Sequence, residues 1–291
     1  MNTMQATLID GEAIAARIRA NLKSAISKLP APPGLATLLV GDNPASAVYV
    51  SNKLKACIEV GINGRLIKLP ADVSEARLFD EIEALNNDAA IDGILLQLPL
   101  PRPLDEQQFL SGIDPAKDVD GLGPVNYGLL AAGLPAHVPC TPLGCLKLIH
   151  SVNTDIAGLQ AVVIGRSRLV GRPMAELLLQ QDCTVTVVHS KTAAPAALVR
   201  KADIVVVAAG RPALVKADWV KPGAIVIDVG INRVDGRLVG DVDFAEVQKV
   251  AGAITPVPGG VGPMTVAMLL NNTVRSAYAK AGLRLPEEMA A

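Results

Sequence analysis

Twice along this chain, short apolar runs alternate with stretches of helical spacing, and turn residues close each run. Strand, helix, strand in that order predicts a parallel sheet covered by helices, because parallel neighbours can be joined only by a crossover segment. In the first block the pattern predicts strands over 36–40, 65–69 and 91–98 and helices over 46–60 and 74–86. In the second it predicts strands over 160–164, 185–188, 204–208 and 224–229 and helices over 171–180 and 195–200. The stretch between them, 99–142, is punctuated by prolines and loses its period. A short apolar helix is expected over 143–150, an Asp235-Gly236 hairpin turn after the second block, and a last helix over 263–281. The fold class expected is α/β, with two α/β domains and a cleft between them. The first domain spans about 1–120 and is completed by the C-terminal helix 266–291; the second spans about 140–265.

Composition narrows the function classes. Lys and Arg number 27 against 28 Asp and Glu, a net charge of -1, and aromatics are 2% of the chain. A polyanion partner needs a basic excess and single strands need stacking surfaces, so no nucleic-acid partner is expected. No apolar run reaches the roughly 20 residues of a membrane span, and the first residues lack a basic start and apolar block. The four cysteines have no zinc spacing and the three histidines are scattered, so no metal is expected. The thiols read as reduced and buried, in a cytoplasmic protein.

Gly165 ends a strand and Gly171 opens a helix, with Pro173 in its first turn, an arrangement whose main-chain N–H groups can hold an anion. The strict G-x-G-x-x-G spacing is missing, so alone this segment reads equally as an ordinary turn. The next strand ends in His189-Ser190-Lys191 instead of the carboxylate that holds an unphosphorylated ribose. Arg166 and Ser190 offer a cation and a hydroxyl there, which suit the 2′-phosphate of NADP. In the first block Ser46, Tyr49 and Lys53 share one helix face. That helix starts at the carboxyl edge of the sheet, where such sheets bind ligands. Gln97 ends an apolar strand and must be bonded or face a cleft. Of the acids in Lys117-Asp118-Val119-Asp120-Gly121, Asp118 reads as an exposed loop charge. Residues 255–265 are so rich in Gly and Pro that their backbone must approach something closely.

Six segments in order, SAVYVSNK (46–53), GILLQLPLP (93–101), KDVDG (117–121), PCTP (139–142), GRS with VG (165–167, 170–171) and PGGVGPMT (258–265), resemble the bifunctional methylenetetrahydrofolate dehydrogenase/cyclohydrolase (FolD) family. The resemblance covers nearly the whole chain. It implies oxidation of 5,10-methylenetetrahydrofolate with NADP, then hydrolysis of the methenyl product to 10-formyltetrahydrofolate, in one-carbon metabolism. It also implies a Rossmann-like NADP-binding second domain and a homodimer, for which the 231–239 hairpin offers an edge. By the resemblance, Lys53 is the acid/base of hydrolysis, Tyr49 positions the folate, Gln97 bonds Lys53 and Asp120 anchors the pterin. Leu96, Leu98, Pro258, Gly259, Gly260, Val261, Gly262, Pro263 and Thr265 line the folate site. Gly165, Arg166, Ser167, Ser190 and Ile231 bind NADP. The chemistry is coherent: water adds to the methenyl carbon, and a proton must be moved as the ring opens. The residues alone leave two other readings, an NAD(P)-dependent dehydrogenase of another small substrate and a nucleotide-binding regulator without turnover.

Overall fold

The computed structural model describes residues 5–290. In chain order these form β1 (Thr7–Leu8), α1 (Gly11–Ile26), β2 (Gly34–Val40), α2 (Pro44–Val60), β3 (Asn63–Leu69), α3 (Glu75–Asn87), β4 (Gly93–Leu96), α4 (Glu106–Gly112), α5 (Pro124–Ala131), α6 (Cys140–His150) and β5 (Gln160–Ile164). Then come α7 (Gly171–Gln180), β6 (Thr184–Val188), α8 (Pro195–Val199), β7 (Ile204–Val207), β8 (Ile225–Asp228), β9 (Asn232–Val234), β10 (Arg237–Val239), α9 (Phe244–Val247), β11 (Ala253–Ile254), α10 (Val261–Lys280) and α11 (Glu287–Ala290). The alternation read from the sequence is present in both blocks. Helix α1 lies outside it, because half of its buried face is alanine, Ala15 and Ala25 beside Leu22 and Ile26.

The chain divides into two compact units. The first joins the residues up to Ala15 to Thr141–Thr265; the second joins Ala16–Cys140 to the residues from Val266 onward. This differs from the expected division at 1–120 and 140–265. The stretch up to Ala15 goes with the first unit because β1 pairs with β11, Thr7 opposite Ala253 and Leu8 opposite Ile254. Residues 121–140 go with the second. Residues 1–4 and 291, which the expected boundaries include, lie outside the described residues.

The first unit carries a six-stranded, all-parallel sheet in the order β1-β11-β8-β7-β5-β6. Strands β7 and β8 are buried along their whole length, and β7 accordingly reads as an unbroken apolar run, while β8 is apolar up to Asp228. Val162, Ile164, Val205, Val207 and Val226 build the core around them. The chain runs from β5 to β6 on one side, then crosses to β7 on the other. The carboxyl ends of β5 and β7 therefore flank a point of reversal, the position where open α/β sheets hold ligands.

The second unit repeats the device with three parallel strands, β3-β2-β4. All seven residues of β2 are buried. Leu38, Val40, Leu78, Ile82, Ile94 and Phe109 form its core. Here β2 is the central strand, so the reversal lies between the carboxyl ends of β2 and β4.

Candidate functional site

In the second unit, α2 rises from the turn after β2, and Asn43 Oδ1 accepts from the Ser46 N–H at 3.3 Å in its first turn. The helix brings Lys53 over the reversal point. Its Nζ donates to Gln97 Oε1 at 3.0 Å. The Gln97 main-chain N–H extends the β2–β4 ladder to Leu38 O, and its Nε2 donates to Leu98 O at 2.7 Å. With the amide nitrogen so tied, the oxygen is left facing the lysine. Both side chains are half-buried. Tyr49, one turn before Lys53, is 40% exposed, and Ser46 is buried.

Asp120 belongs to the same constellation. Burial raises its carboxyl pKa above the usual value, while the charge of Lys53 and a hydrogen bond from the Cys140 thiol pull it back. The loop that carries it is held from several sides. Asn272 Nδ2 donates to Val119 O at 2.9 Å and to Val138 O at 3.0 Å. Asp118 accepts from Leu122 N, Gly123 N and Asn126 Nδ2 at 3.2, 2.9 and 2.9 Å. The expectation of a solvated Asp118 is corrected: it is 2% exposed, a buried acceptor that shapes the turn past Asp120. Leu96 packs at 2% exposure in the apolar core, so only its main chain remains to meet a ligand, and Leu98 packs against the same core.

Residues 258–265 lie in the first unit. Gly259, at φ 98°, receives the Glu12 N–H on its carbonyl at 3.1 Å. A Cβ at Gly11 would overlap Gly260 O, which shows how closely the two backbones meet. Pro258 is exposed, Gly259, Gly262, Pro263 and Thr265 are half-buried, and Gly260 and Val261 are buried. Thr265 Oγ1 pairs with Thr141 Oγ1 at 3.0 Å.

The first unit also holds a cavity of about 530 Å³ at the carboxyl ends of β5 and β7. Gly165, Arg166, Ser167 and Ser190 line it together, as expected; Ile231, 47% exposed, does not. Gly165 sits at φ 119°, and a Cβ there would overlap Ala208 O. Ser167 Oγ accepts from Val170 N at 3.1 Å and closes the turn into α7. Arg211 and His189 join the lining, and among the described residues no carboxylate does. Two guanidinium groups and several hydroxyls fit a dinucleotide bearing a 2′-phosphate.

Sequence reasoning missed the groups that hold this cavity's wall. Asp241, fully buried, accepts from the consecutive N–H groups of Ala209, Gly210 and Arg211 at 2.7, 2.7 and 2.9 Å and from Asn232 Nδ2 at 2.8 Å. Asp228 accepts from the N–H groups of Gly230, Asp241 and Val242, each at 2.9 Å. Burial pushes the Asp228 carboxyl up to about 6. The available signal was the glycine before Asp241: a Cβ at Gly240 would overlap the Asp228 carboxylate.

Comparison with known proteins adds the rest. Residues 9–120 match the family model "Tetrahydrofolate dehydrogenase/cyclohydrolase, catalytic domain", and 139–281 match its "NAD(P)-binding domain". The bifunctional protein FolD 3 of Rhizorhabdus wittichii is 55% identical over 97% of this chain and 96% of its own. The bifunctional protein FolD of Sphingopyxis alaskensis is 56% identical over 97% of each. Among solved structures, the Campylobacter jejuni bifunctional FolD superposes with a TM-score of 0.93 at 48% identity, covering 94% of this chain and 99% of that one. The Trypanosoma brucei FolD, solved with NADP cofactor and inhibitor, gives 0.90 at 42% identity, covering 95% and 99%.

Proposed function

Because this chain belongs to the tetrahydrofolate dehydrogenase/cyclohydrolase family, we propose that Lys53, Tyr49, Gln97 and Asp120 carry its folate chemistry. The protein is a bifunctional enzyme that oxidises 5,10-methylenetetrahydrofolate with NADP⁺ and hydrolyses the resulting 5,10-methenyltetrahydrofolate to 10-formyltetrahydrofolate. It serves one-carbon metabolism. NADP⁺, when bound, accepts the hydride from the folate's methylene carbon. In the cavity at β5 and β7, Gly165 and Ser167 would hold the cofactor's phosphates and Arg166 and Ser190 its 2′-phosphate. Ile231, exposed after β8 and outside the cavity lining, is assigned to the same cofactor by the family resemblance alone.

The observation that carries the site assignment is the Lys53–Gln97 hydrogen bond at a sheet reversal, with Asp120 close enough to feel the lysine's charge. Methenyltetrahydrofolate is already an electrophile at the bridging carbon. What the protein must add is a group that moves the proton of the attacking water and then protonates the departing ring nitrogen. An amine does both at one atom, and Gln97 Oε1 aims it. Tyr49, partly exposed one turn away, positions the folate ring, and Asp120 receives the pterin's N–H donors. Leu96 and Leu98 act through their main chain, and the family resemblance assigns residues 258–265 of the first unit to folate as well. A spectrophotometric assay tests the whole reading: methenyl absorbance should rise with methylenetetrahydrofolate and NADP⁺, then decay, and should rise far less with NAD⁺.

Arg166→Ala is expected to raise KM for NADP⁺ by about 10- to 100-fold, the loss of one charge-assisted phosphate contact, and to leave KM for NAD⁺ nearly unchanged. Equal changes for the two cofactors would take Arg166 off the 2′-phosphate.

A homodimer formed through the first unit completes the proposal. Strand β6 is an edge with Val187 exposed, and the β9–β10 hairpin leaves Ile231, Val234 and Leu238 in solvent. Leu238→Asp should move the sedimentation coefficient toward the monomer; an unshifted dimer would place the interface elsewhere. Four buried thiols support a cytoplasmic location, and the net charge of -1 supports folates rather than nucleic acid as partners.

A further inference from the structure

A second cavity, about 880 Å³, lies in the second unit, and none of the residues assigned above to folate or NADP lines it. Its walls are largely apolar, with Ile91, Leu129, Ala136, Ala279, Leu283 and Leu285 among them. The charged groups around it are Asp92, Asp114, Lys117, Arg275 and Lys280, with His137 beside them. Most are already committed. Lys117 Nζ donates to the main-chain oxygens of Leu85, Asn86 and Asp88 at 2.9, 2.7 and 2.8 Å. Lys280 pairs with Asp92 and donates to Ala89 O at 2.8 Å. Asp114 Oδ1 accepts from Ala116 N at 2.9 Å. His137 Nε2 lies 3.0 Å from Ser276 Oγ and 3.2 Å from Ala116 O, and burial lowers its pKa, so the ring is neutral near pH 7.

Arg275 differs. It is half-buried in this wall, and among the described residues no hydrogen bond or ion pair engages its guanidinium. Burial lowers its pKa with no carboxylate acting the other way. Three cations against two carboxylates leave one positive charge at the cavity, and Arg275 is the cation whose donors are uncommitted. A partly desolvated guanidinium beside an apolar wall is complementary to an anion with an apolar body.

We propose that this cavity binds a small amphipathic monocarboxylate, its carboxylate on Arg275 and its hydrocarbon along Leu129, Ala279 and Leu283. Such a ligand lies against the main chain of 114–117, which leads directly to Asp118 and Asp120. It also touches α10 at Ser276, one turn beyond the Asn272 that holds Val119 O and Val138 O. The occupant therefore bears on the segments that place Asp120.

Titration calorimetry of the full chain with octanoate tests this. Octanoate should bind at one site per chain, at least about tenfold more weakly to Arg275→Ala and to Ala279→Trp, which fills the cavity. Inorganic phosphate and 1-octanol, each with half of the proposed chemistry, should bind at least about tenfold more weakly than octanoate to the wild type. Arg275 holds no structural partner, so Arg275→Ala should keep wild-type dehydrogenase activity, which checks its folding. Absence of octanoate binding at millimolar concentrations overturns the proposal. So does equal affinity for the wild type and either variant, or phosphate binding as tight as octanoate.

Discussion

Lys53→Met is expected to reduce hydrolysis of 5,10-methenyltetrahydrofolate by about 10³-fold, the range general acid–base groups supply. Methionine keeps the length and apolar stem of the side chain and removes only the amine that Gln97 Oε1 receives at 3.0 Å. No other lysine and no histidine is assigned to the site. Hydride transfer moves no proton through Lys53, so dehydrogenation should persist in part wherever the folate still binds. Lys53→Arg should not restore hydrolysis, because a guanidinium does not give up its proton near neutrality. The measurement is both activities of each variant side by side, with folate affinity determined separately. Cyclohydrolase activity near wild type in Lys53→Met would return the residue to an ordinary surface charge.

Asp241→Ala should cost about 3–5 kcal/mol of folding stability, since it removes a fully buried carboxylate that accepts from four donors at once. Three of those donors are the successive N–H groups of Ala209, Gly210 and Arg211, and the fourth is the amide of Asn232. Ala208, Ala209 and Arg211 line the nucleotide cavity, so the wall should loosen with them. KM should rise for NADP⁺ and NAD⁺ alike, in contrast to the selective effect of Arg166→Ala. Denaturant unfolding and KM for the two cofactors read the two halves of this expectation. Asp241→Asn, which keeps one acceptor oxygen, should lie between wild type and Asp241→Ala. Unchanged stability in Asp241→Ala would mean that water replaces the carboxylate without loss.

The strand–helix alternation, the shared helix face of Tyr49 and Lys53 and the Gly165–Ser167 turn were legible in the sequence because each rests on a local pattern, whereas the pairing of Lys53 with Gln97, 44 residues away, was implied only by the family resemblance. A buried parallel strand is an unbroken apolar run, as in β2 and β7. A helix face follows from spacing alone, so Tyr49 and Lys53 could be set together without coordinates. Where the same composition has two uses, local pattern is silent. Asp118 reads as a solvated loop acid, and nothing in the local pattern marks Asp228 or Asp241, yet all three are buried acceptors. Their donors include N–H groups about thirty residues away in the case of Asp241, and no window along the chain contains both sides of those bonds.

The unit boundary shows the same limit. Thr7 and Leu8 form only two residues of strand, too short for a period, and their place in the first unit follows from pairing with Ala253 and Ile254. The sequence by itself determined the fold class and the family, because apolar periodicity and motif order are properties of neighbouring positions. Only the tertiary structure decided which carboxylates are buried, which guanidinium lacks a partner and where the amino-terminal strand belongs. Burial and hydrogen bonding are settled by groups far apart in the chain, and a charge is exposed or enclosed only when those groups have met.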